Sequence, residues 1–324
     1  MIRPTPFSLA ALSVILVGCG AAESDNLRNA RKEKIDEAWQ LIDRFYFDPT
    51  FNQQDWQAVR QAYLGRTYSS DKAAYDAIKE MVALLGDPES RYFTQEEFSA
   101  LPAIEDASAA DITTPTSSAV QYQPMAVDGA AIGYIRVPQL AADTPNEISA
   151  AIGELDAQLV DGYVLDLRSN PGGFLDSAVE IAKLWLETGP IATLNRRGTV
   201  SNAETDGTDF MTDQPLAVLV NGTTGNGSEL IAAALQEQQR AVIVGTQTQG
   251  INLVRTTRPL SGDGSGLVLT VGKWYPPSGS DIEGIGIQPD IVAADVAPQQ
   301  FGTDADSQLQ AAVKALLSAP ATAP

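Results

Sequence analysis

The chain has 324 residues and a formal net charge of −20, which argues against a nucleic-acid ligand because phosphates are bound by lysine and arginine. It contains no histidine, so a Ser-His-Asp or Cys-His catalytic arrangement and a histidine-containing zinc site are excluded. Its one cysteine, Cys19, rules out an internal disulfide, and covalent catalysis would need serine or threonine with a lysine base, or a carboxylate.

Residues 1–19 have the features of a bacterial lipoprotein signal peptide. An apolar run from Phe7 to Val17 is too short to span a membrane. It ends in Leu16-Val17-Gly18-Cys19, which resembles a lipobox with cleavage before Cys19 and diacylation of its sulfur. The sequence therefore predicts an exported protein held at a membrane through its lipid anchor only. The periplasmic face of the outer membrane is favoured because Gly20 follows the cysteine in place of aspartate. The alternative is an ordinary signal peptide with an incidental cysteine.

Three segments are predicted before the main domain. Residues 20–30 are polar and are interpreted as a tether. Residues 31–101 show apolar side chains at three- and four-residue steps, which predicts a small helical unit. Residues 102–128 are rich in Ala, Ser, Thr and Pro and are interpreted as a linker. The helices predicted here run from Arg31 through Phe45, over Gln54–Leu64 and over Lys72–Leu85.

Residues 129–298 alternate between strand and helix patterns, which predicts an α/β fold with a mixed sheet. The segment Leu216–Arg255 reads strand, glycine-rich turn, helix, strand, as in a parallel βαβ unit. Its turn follows the carboxyl end of a strand, where the chemistry of open α/β sheets is located. The remaining predicted strands are Ala131–Val137, Gly162–Arg168, Leu267–Val271 and Lys273–Tyr275. Two further helices are predicted in this domain, one marked by Ile148, Ile152, Leu155 and Leu159 and one over Leu175–Leu186. The C-terminal segment, residues 299–324, is predicted to contain a helix over Asp304–Ala319.

One motif indicates a family. Asp166–Ala182, with the sequence DLRSNPGGFLDSAVEIA, resembles the carboxyl-terminal processing (tail-specific) proteases of peptidase family S41. The resemblance implies a ClpP/crotonase-like core of βα units, a helical N-terminal unit and a PDZ domain between them. Here only residues 102–128 occupy that position, which is too short for a PDZ domain. Other segments that match the family in order are Glu37–Leu101, Ile132–Val137, Pro215–Glu229, Arg258–Leu260, Leu267–Gly279 and Gly284–Asp290.

The resemblance also identifies catalytic positions, and all three are substituted in this chain. The family uses a nucleophilic serine, a neutral lysine base and a supporting glutamine; those positions are Asn226, Ile251 and Arg255 here. A carboxamide is a poor nucleophile, isoleucine accepts no proton, and arginine stays protonated. The sequence therefore predicts an S41 family lipoprotein that is catalytically inactive and retains peptide binding or a regulatory role, although its status as an enzyme stays open. No cofactor or metal is predicted.

Two alternatives remain open from the residues. Relocated catalytic groups, such as Ser228 with Lys273, would give an active serine peptidase, although Ser228 also fits a role in capping or packing. An unrelated α/β protein would use the turn Gly222–Gly227 for a phosphate, but the turn lacks the Lys-Ser/Thr of a P-loop.

Part of a binding site is also predicted to persist. Gly172, Gly173 and Gly227 match the family's oxyanion-hole positions, although a tight turn alone would also require glycine. Arg255 would be able to pair with a terminal carboxylate. The predicted partners are therefore extended peptides or protein C-termini.

Overall fold

The computed structural model describes residues 18–101, 119–127 and 129–318, with side chains from residue 26 onward. The predicted signal peptide up to residue 17 and the Cys19 side chain lie outside this part of the chain. No helix within it combines the length and apolar character needed to cross a membrane. The helices are α1 (Gly18–Phe45), α2 (Trp56–Gly65), α3 (Asp71–Ala83), α4 (Gln95–Ser99), α5 (Thr144–Asp156), α6 (Leu175–Trp185), α7 (Gly227–Glu237) and α8 (Ser307–Ser318). The strands are β1 (Arg91–Phe93), β2 (Gln121–Val127), β3 (Ala130–Arg136), β4 (Gly162–Asp166), β5 (Gly189–Arg196), β6 (Thr199–Thr205), β7 (Leu216–Val220), β8 (Ala241–Gly245), β9 (Leu253–Pro259), β10 (Gly266–Tyr275) and β11 (Ile291–Val292).

The first compact unit is helical. It contains the described residues up to Arg44, Thr50–Ser99 and, unexpectedly, Arg258–Leu267 from the second half of the chain. Asp55 and Ser70 begin α2 and α3 by accepting hydrogen bonds from main-chain amides three residues ahead. The predicted helical unit is therefore present, and a distant loop completes it.

The predicted tether over 20–30 is wrong in its local structure, because α1 begins at Gly18 and not at Arg31. Leu27, Arg28 and Ala30 are favourable helix formers, and their exposure to solvent is compatible with a polar helix. Polar composition alone therefore did not distinguish a tether from an exposed first half of a helix.

The second unit is built on a six-stranded sheet with the order β11-β8-β7-β4-β3-β2. All neighbouring strands are parallel except the β2–β3 pair. Every residue of β4 and β7 is buried, as expected for central strands with both faces covered. The predicted α/β class with a mixed sheet is confirmed.

Helices cover both faces of this sheet. On one face, α5, α6 and α7 bury the side chains of Tyr163, Leu165 and Val218. On the other, α8 packs Leu309 and its neighbours against the alternate residues of the same strands. Because β4 and β7 run parallel, the loops that follow them emerge at the same edge of the sheet.

Several strand predictions need correction. The last part of the predicted linker is β2, an edge strand that tolerates Pro124 and is mostly exposed, so it lacks a hydrophobic signal. The β5–β6 hairpin was not predicted, since most of its residues are exposed or half-buried. Leu267–Val271 and Lys273–Tyr275 form one continuous strand, β10, because Gly272 stays within it. The middle of the linker, residues 102–118, lies outside the described residues.

Candidate active site

The loop between β7 and α7 forms a sharp elbow at Asn226. This residue has φ 45° and ψ −116°, a conformation that costs a non-glycine residue about 1–3 kcal/mol. A sharp strand-to-helix turn of this kind presents one side chain above the sheet, as in the nucleophile elbow of α/β-hydrolases. The backbone at Asn226 is therefore shaped to display a reacting group.

Hydrogen bonds tie this elbow to the loop that follows β4. Thr224 donates from its hydroxyl to the carbonyl of Leu167 at 2.8 Å, and the amide of Gly225 donates to the carbonyl of Asn170 at 2.9 Å. The amide of Ser169 donates in turn to Oδ1 of Asn221 at 2.9 Å. The two loops therefore form one rigid structure.

The glycines of the β4–α6 loop are required by this close approach. Gly172 and Gly173 have φ of 95° and 144°, which L side chains rarely adopt. A Cβ at Gly172 would lie 2.9 Å from Cβ of Asn226, and one at Gly173 would lie 2.0 Å from the carbonyl oxygen of Leu140. The turn itself accounts for both residues, whatever else they do.

Of the three predicted oxyanion-hole glycines, two have main-chain amides without an acceptor among the described residues. They belong to Gly173 and Gly227. The third predicted donor, Gly172, is occupied because its amide donates to Oδ1 of Asn170 at 2.9 Å. Two of the three predicted oxyanion-hole glycines therefore have an amide available for a carbonyl or carboxylate oxygen.

Glu229 joins the elbow to the loop 248–251. Its carboxylate is fully buried and accepts four hydrogen bonds: from the Thr248 hydroxyl at 2.5 Å and from the amides of Gly250, Ile251 and Asn226 at 2.6, 2.8 and 2.9 Å. The amides of Asn226 and Ile251 share one carboxylate oxygen, so their nitrogens lie less than about 6 Å apart. Burial raises the pKa of the Glu229 carboxyl, while the four donors act against that rise.

The Asn226 carboxamide is held at both of its polar atoms. Its Nδ2 donates to the carbonyl of Leu253 at 3.1 Å, and its Oδ1 accepts from Nε1 of Trp274 at 3.2 Å. Only one orientation of the amide satisfies both partners. The side chain therefore bridges the start of α7 to β9 and β10, and a serine hydroxyl is too short to replace it in both contacts.

Comparison with known proteins supports the fold and the family. The family model described as Peptidase family S41 matches residues 131–293, and that of the Tricorn protease C1 domain matches residues 28–82. The carboxyl-terminal-processing protease of Synechocystis sp. is 31% identical over 373 aligned positions, covering 89% of this chain and 87% of the relative. The protease of the same name from Picosynechococcus sp. is 30% identical, covering 94% of each chain.

The chain belongs to peptidase family S41. Among solved structures, the photosystem II D1 C-terminal processing protease is 25% identical with a TM-score of 0.69, covering 82% of this chain and 93% of that one. A lipoprotein from Streptococcus agalactiae shares the fold at 19% identity and a TM-score of 0.62, covering 89% and 96% of the two chains. The 373 aligned positions of the Synechocystis relative exceed the 324 residues here, so that relative contains residues without a counterpart in this chain.

The positions that the sequence motifs assign to the nucleophile and the base lie close together in the structure. Asn226 stands on the elbow, Ile251 stands on the neighbouring loop, and both contact Glu229 through their amides. Arg255 lies on β9, two residues beyond the carbonyl that accepts from Asn226. The structure therefore brings Asn226 and Ile251 to one place through a shared main-chain contact with Glu229.

The alternative pair Ser228 and Lys273 lacks the properties of a nucleophile and a base. Ser228 is fully buried, and its hydroxyl has no partner in the described part of the chain. Lys273 contacts Glu283 and lies 3.3 Å from Asp281. Burial alone would lower the pKa of Lys273, but these carboxylates outweigh it and raise the pKa above its ordinary value. A protonated lysine cannot accept a proton from serine.

A large cavity lies elsewhere. It measures about 800 Å³ and is lined by Leu216 and Ala241, the first residues of β7 and β8. It is therefore at the opposite end of these strands from the elbow, and its lining includes none of the substituted catalytic positions.

Three residues of the site were not recognised as such from the sequence: Glu229, Leu253 and Trp274. Glu229 had a signal, because a glutamate three residues after a capping residue is typical of a capping box. Leu253 and Trp274 contact Asn226 across 27 and 48 residues of chain, which local patterns do not reveal.

Proposed function

We propose that this S41 family member binds extended peptides or protein C-termini without cleaving them, in a direct binding or regulatory role. The observation that supports it is the state of the elbow. The nucleophile position is a carboxamide engaged at both polar atoms, whereas the neighbouring amides of Gly173 and Gly227 lack acceptors in the described chain.

The chemistry favours recognition over hydrolysis. Hydrolysis by a serine peptidase needs a hydroxyl beside a neutral base, and the base position is Ile251. Amide donors without an acceptor in the described chain suit the oxygen of a peptide carbonyl or terminal carboxylate. Arg255 adds a permanent positive charge on the adjoining strand. Relatives named carboxyl-terminal-processing proteases act at the ends of chains, which fits a C-terminal ligand.

Peptide binding and turnover test this proposal together. Fluorescent peptides that differ only in a free or amidated C-terminus would be titrated by anisotropy, and the same mixtures would be analysed for cleavage. We expect the free carboxylate to bind more tightly, no cleavage, and a loss of roughly tenfold in that preference in Arg255→Ala. Arg66→Ala is the matched control, because this exposed arginine pairs with Glu80 in the helical unit.

Two outcomes would contradict the proposal in different ways. Equal affinity for both peptides, or no binding, would remove the carboxylate-recognition role. Turnover that disappears when Asn226 or Ser228 is replaced by alanine would show that the chain is an active peptidase.

We also propose that the chain is exported and lipid-anchored at Cys19, on the periplasmic face of the outer membrane. The lipobox-like sequence and the absence of any other cysteine support this assignment. Metabolic labelling with a palmitate analogue and detergent-phase partitioning should detect the lipid in the wild-type chain and not in Cys19→Ala. Identical labelling and partitioning of both chains would refute the anchor.

A further inference from the structure

The elbow contains an asparagine followed by glycine, a pair with its own chemistry. The chain has two such pairs, Asn221-Gly222 and Asn226-Gly227, in the same loop. In an Asn-Gly pair the glycine nitrogen is able to attack the asparagine side-chain carbonyl, because glycine offers no Cβ to hinder it. The product is a five-membered succinimide ring that includes the main chain.

The backbone at Asn226 already has the torsion that this ring requires. In an L residue, Cβ is rotated by roughly 120° from the main-chain nitrogen about the Cα–C bond. A ψ of −116° therefore brings the following nitrogen almost into line with Cβ. That eclipsed arrangement is normally avoided, and it is the arrangement that makes the ring nearly planar. The folded chain therefore already holds Asn226 in the conformation that the reaction needs.

The surroundings of Asn226 favour the same reaction. The amide of Gly227, which supplies the attacking nitrogen, has no acceptor among the described residues. Nε1 of Trp274 donates to Oδ1 at 3.2 Å, so it would stabilise negative charge on that oxygen as Cγ becomes tetrahedral. Nδ2, the leaving nitrogen, is held by the carbonyl of Leu253.

We infer that Asn226-Gly227 is a site of spontaneous covalent modification, in which the elbow closes to a succinimide. The Gly227 nitrogen bonds to Cγ of Asn226, the Cγ–Nδ2 bond breaks, and the amide proton of Gly227 leaves with the departing group as ammonia. Water then opens the ring at either carbonyl, giving aspartate or isoaspartate at position 226. No oxidant or reductant takes part. The ring-opened product places a carboxylate where the family has its nucleophile.

Asn221-Gly222 is a matched internal control. Oδ1 of Asn221 accepts hydrogen bonds from Ser169, Thr223 and Thr224, and its Nδ2 donates to the Ser169 hydroxyl. Asn221 is not among the residues with positive φ. The two pairs therefore share their residue types and their loop, and they differ in the backbone geometry and in the hydrogen bonds of the carboxamide.

Peptide mapping by mass spectrometry tests the inference. The full chain would be incubated at mildly alkaline pH, folded or in denaturant, and both Asn-Gly sites followed over time. We expect the folded chain to lose one ammonia at 226–227, and then to gain a net mass of about one dalton, roughly tenfold faster than the unfolded chain. Asn221-Gly222 should react no faster folded than unfolded, and Asn226→Gln should remove the signal at 226 alone.

A rate at 226–227 that is equal or lower in the folded chain would overturn the inference, as would a faster reaction at 221–222 in the folded chain. Either result would mean that the contacts to Leu253 and Trp274 protect the carboxamide. The measurement does not depend on any peptide ligand, so its outcome is independent of the proposed binding function.

Discussion

Asn226 is held in its conformation by neighbours rather than by its own preference. A positive φ at a residue with a Cβ is unfavourable, so the strain persists only because surrounding contacts over-determine the elbow. Glu229 is the central contact, since its carboxylate gathers the elbow and the loop 248–251 around four donors. A buried carboxylate with this many donors is an integral part of the site rather than a surface charge.

The first prediction concerns Glu229→Gln. The amide group would direct N–H donors at atoms that already donate, leaving buried polar groups unpaired, and we expect a loss of about 2–3 kcal/mol in the free energy of unfolding. Urea denaturation of both chains measures it. Glu237→Gln on the same helix is the matched control, because that side chain contacts Ser278 at the surface and should change stability by less than about 1 kcal/mol. Equal effects of the two substitutions would contradict the central role of Glu229.

At the scale of elements, a buried ion cluster fixes the end of β4 against α8. Arg168 is fully buried and directs its N–H groups at Asp166, Asp306 and Gln308. Its guanidinium also lies 3.8 Å from the centroid of the Phe301 ring. The buried positive charge of Arg168 is tolerated because its N–H donors are matched by hydrogen-bond acceptors. The cluster therefore holds the start of the loop that carries Gly172 and Gly173.

The second prediction belongs to the loop that completes the helical unit. Asp263 accepts from Tyr75 at 2.6 Å and lies 2.5 Å from the ammonium nitrogen of Lys34. Burial alone would raise the pKa of Asp263. Hydrogen bonds from Lys34, Tyr75 and Ser265 outweigh burial and hold this pKa below its ordinary value of 3.8. Because the pKa of Asp263 is lower in the folded than in the unfolded chain, its carboxylate stabilises the folded state above pH 3.8. This contribution is lost as the pH falls towards the folded-state pKa.

Asp263→Asn should therefore lower the free energy of unfolding by about 1–3 kcal/mol at neutral pH. It should also weaken the dependence of that free energy on pH below about pH 4. Urea denaturation at a series of pH values measures both quantities. Asp76→Asn is the control in the same unit, because the Lys72–Asp76 pair is exposed to solvent and contributes less than about 1 kcal/mol. An unchanged acid dependence in Asp263→Asn would show that other carboxylates dominate acid unfolding.

The sequence predicted those elements whose burial is periodic or complete. Strands β4 and β7 are continuous apolar runs, and α6 and α7 have apolar faces, so their existence followed from pattern alone. Strand β2 carries few buried residues and owes its structure to its pairing with β3, which no local pattern records. The motifs predicted that Asn226, Ile251 and Arg255 occupy the catalytic positions, and this assignment stays a prediction. The double contact of Asn226 was not predicted, because it depends on the folded approach of Leu253 and Trp274.

At the scale of the whole molecule, the chain has the S41 fold, and its sequence motifs assign the catalytic positions to Asn226, Ile251 and Arg255. The elbow, the loop carrying Gly173 and the loop carrying Ile251 follow the carboxyl ends of the parallel strands β7, β4 and β8. Membership in the family is shown by the match over residues 131–293, whereas activity depends on a few side chains. We therefore predict that fold and activity separate at Asn226, Ile251 and Arg255, the positions that the family resemblance assigns to catalysis.

The third prediction restores those side chains together. Asn226→Ser, Ile251→Lys and Arg255→Gln in one chain should produce peptide hydrolysis at least roughly tenfold above the parent, because a nucleophile and its base then meet on a main chain that already has the required shape. Cleavage of an unfolded protein substrate, followed by mass spectrometry, measures it. The matched control carries Asn226→Ala with the same two other substitutions and should stay at the parental level, since it has the lysine but no hydroxyl. Circular dichroism establishes that both variants fold. A folded serine variant with no more turnover than its alanine control would show that the framework has changed beyond these three positions.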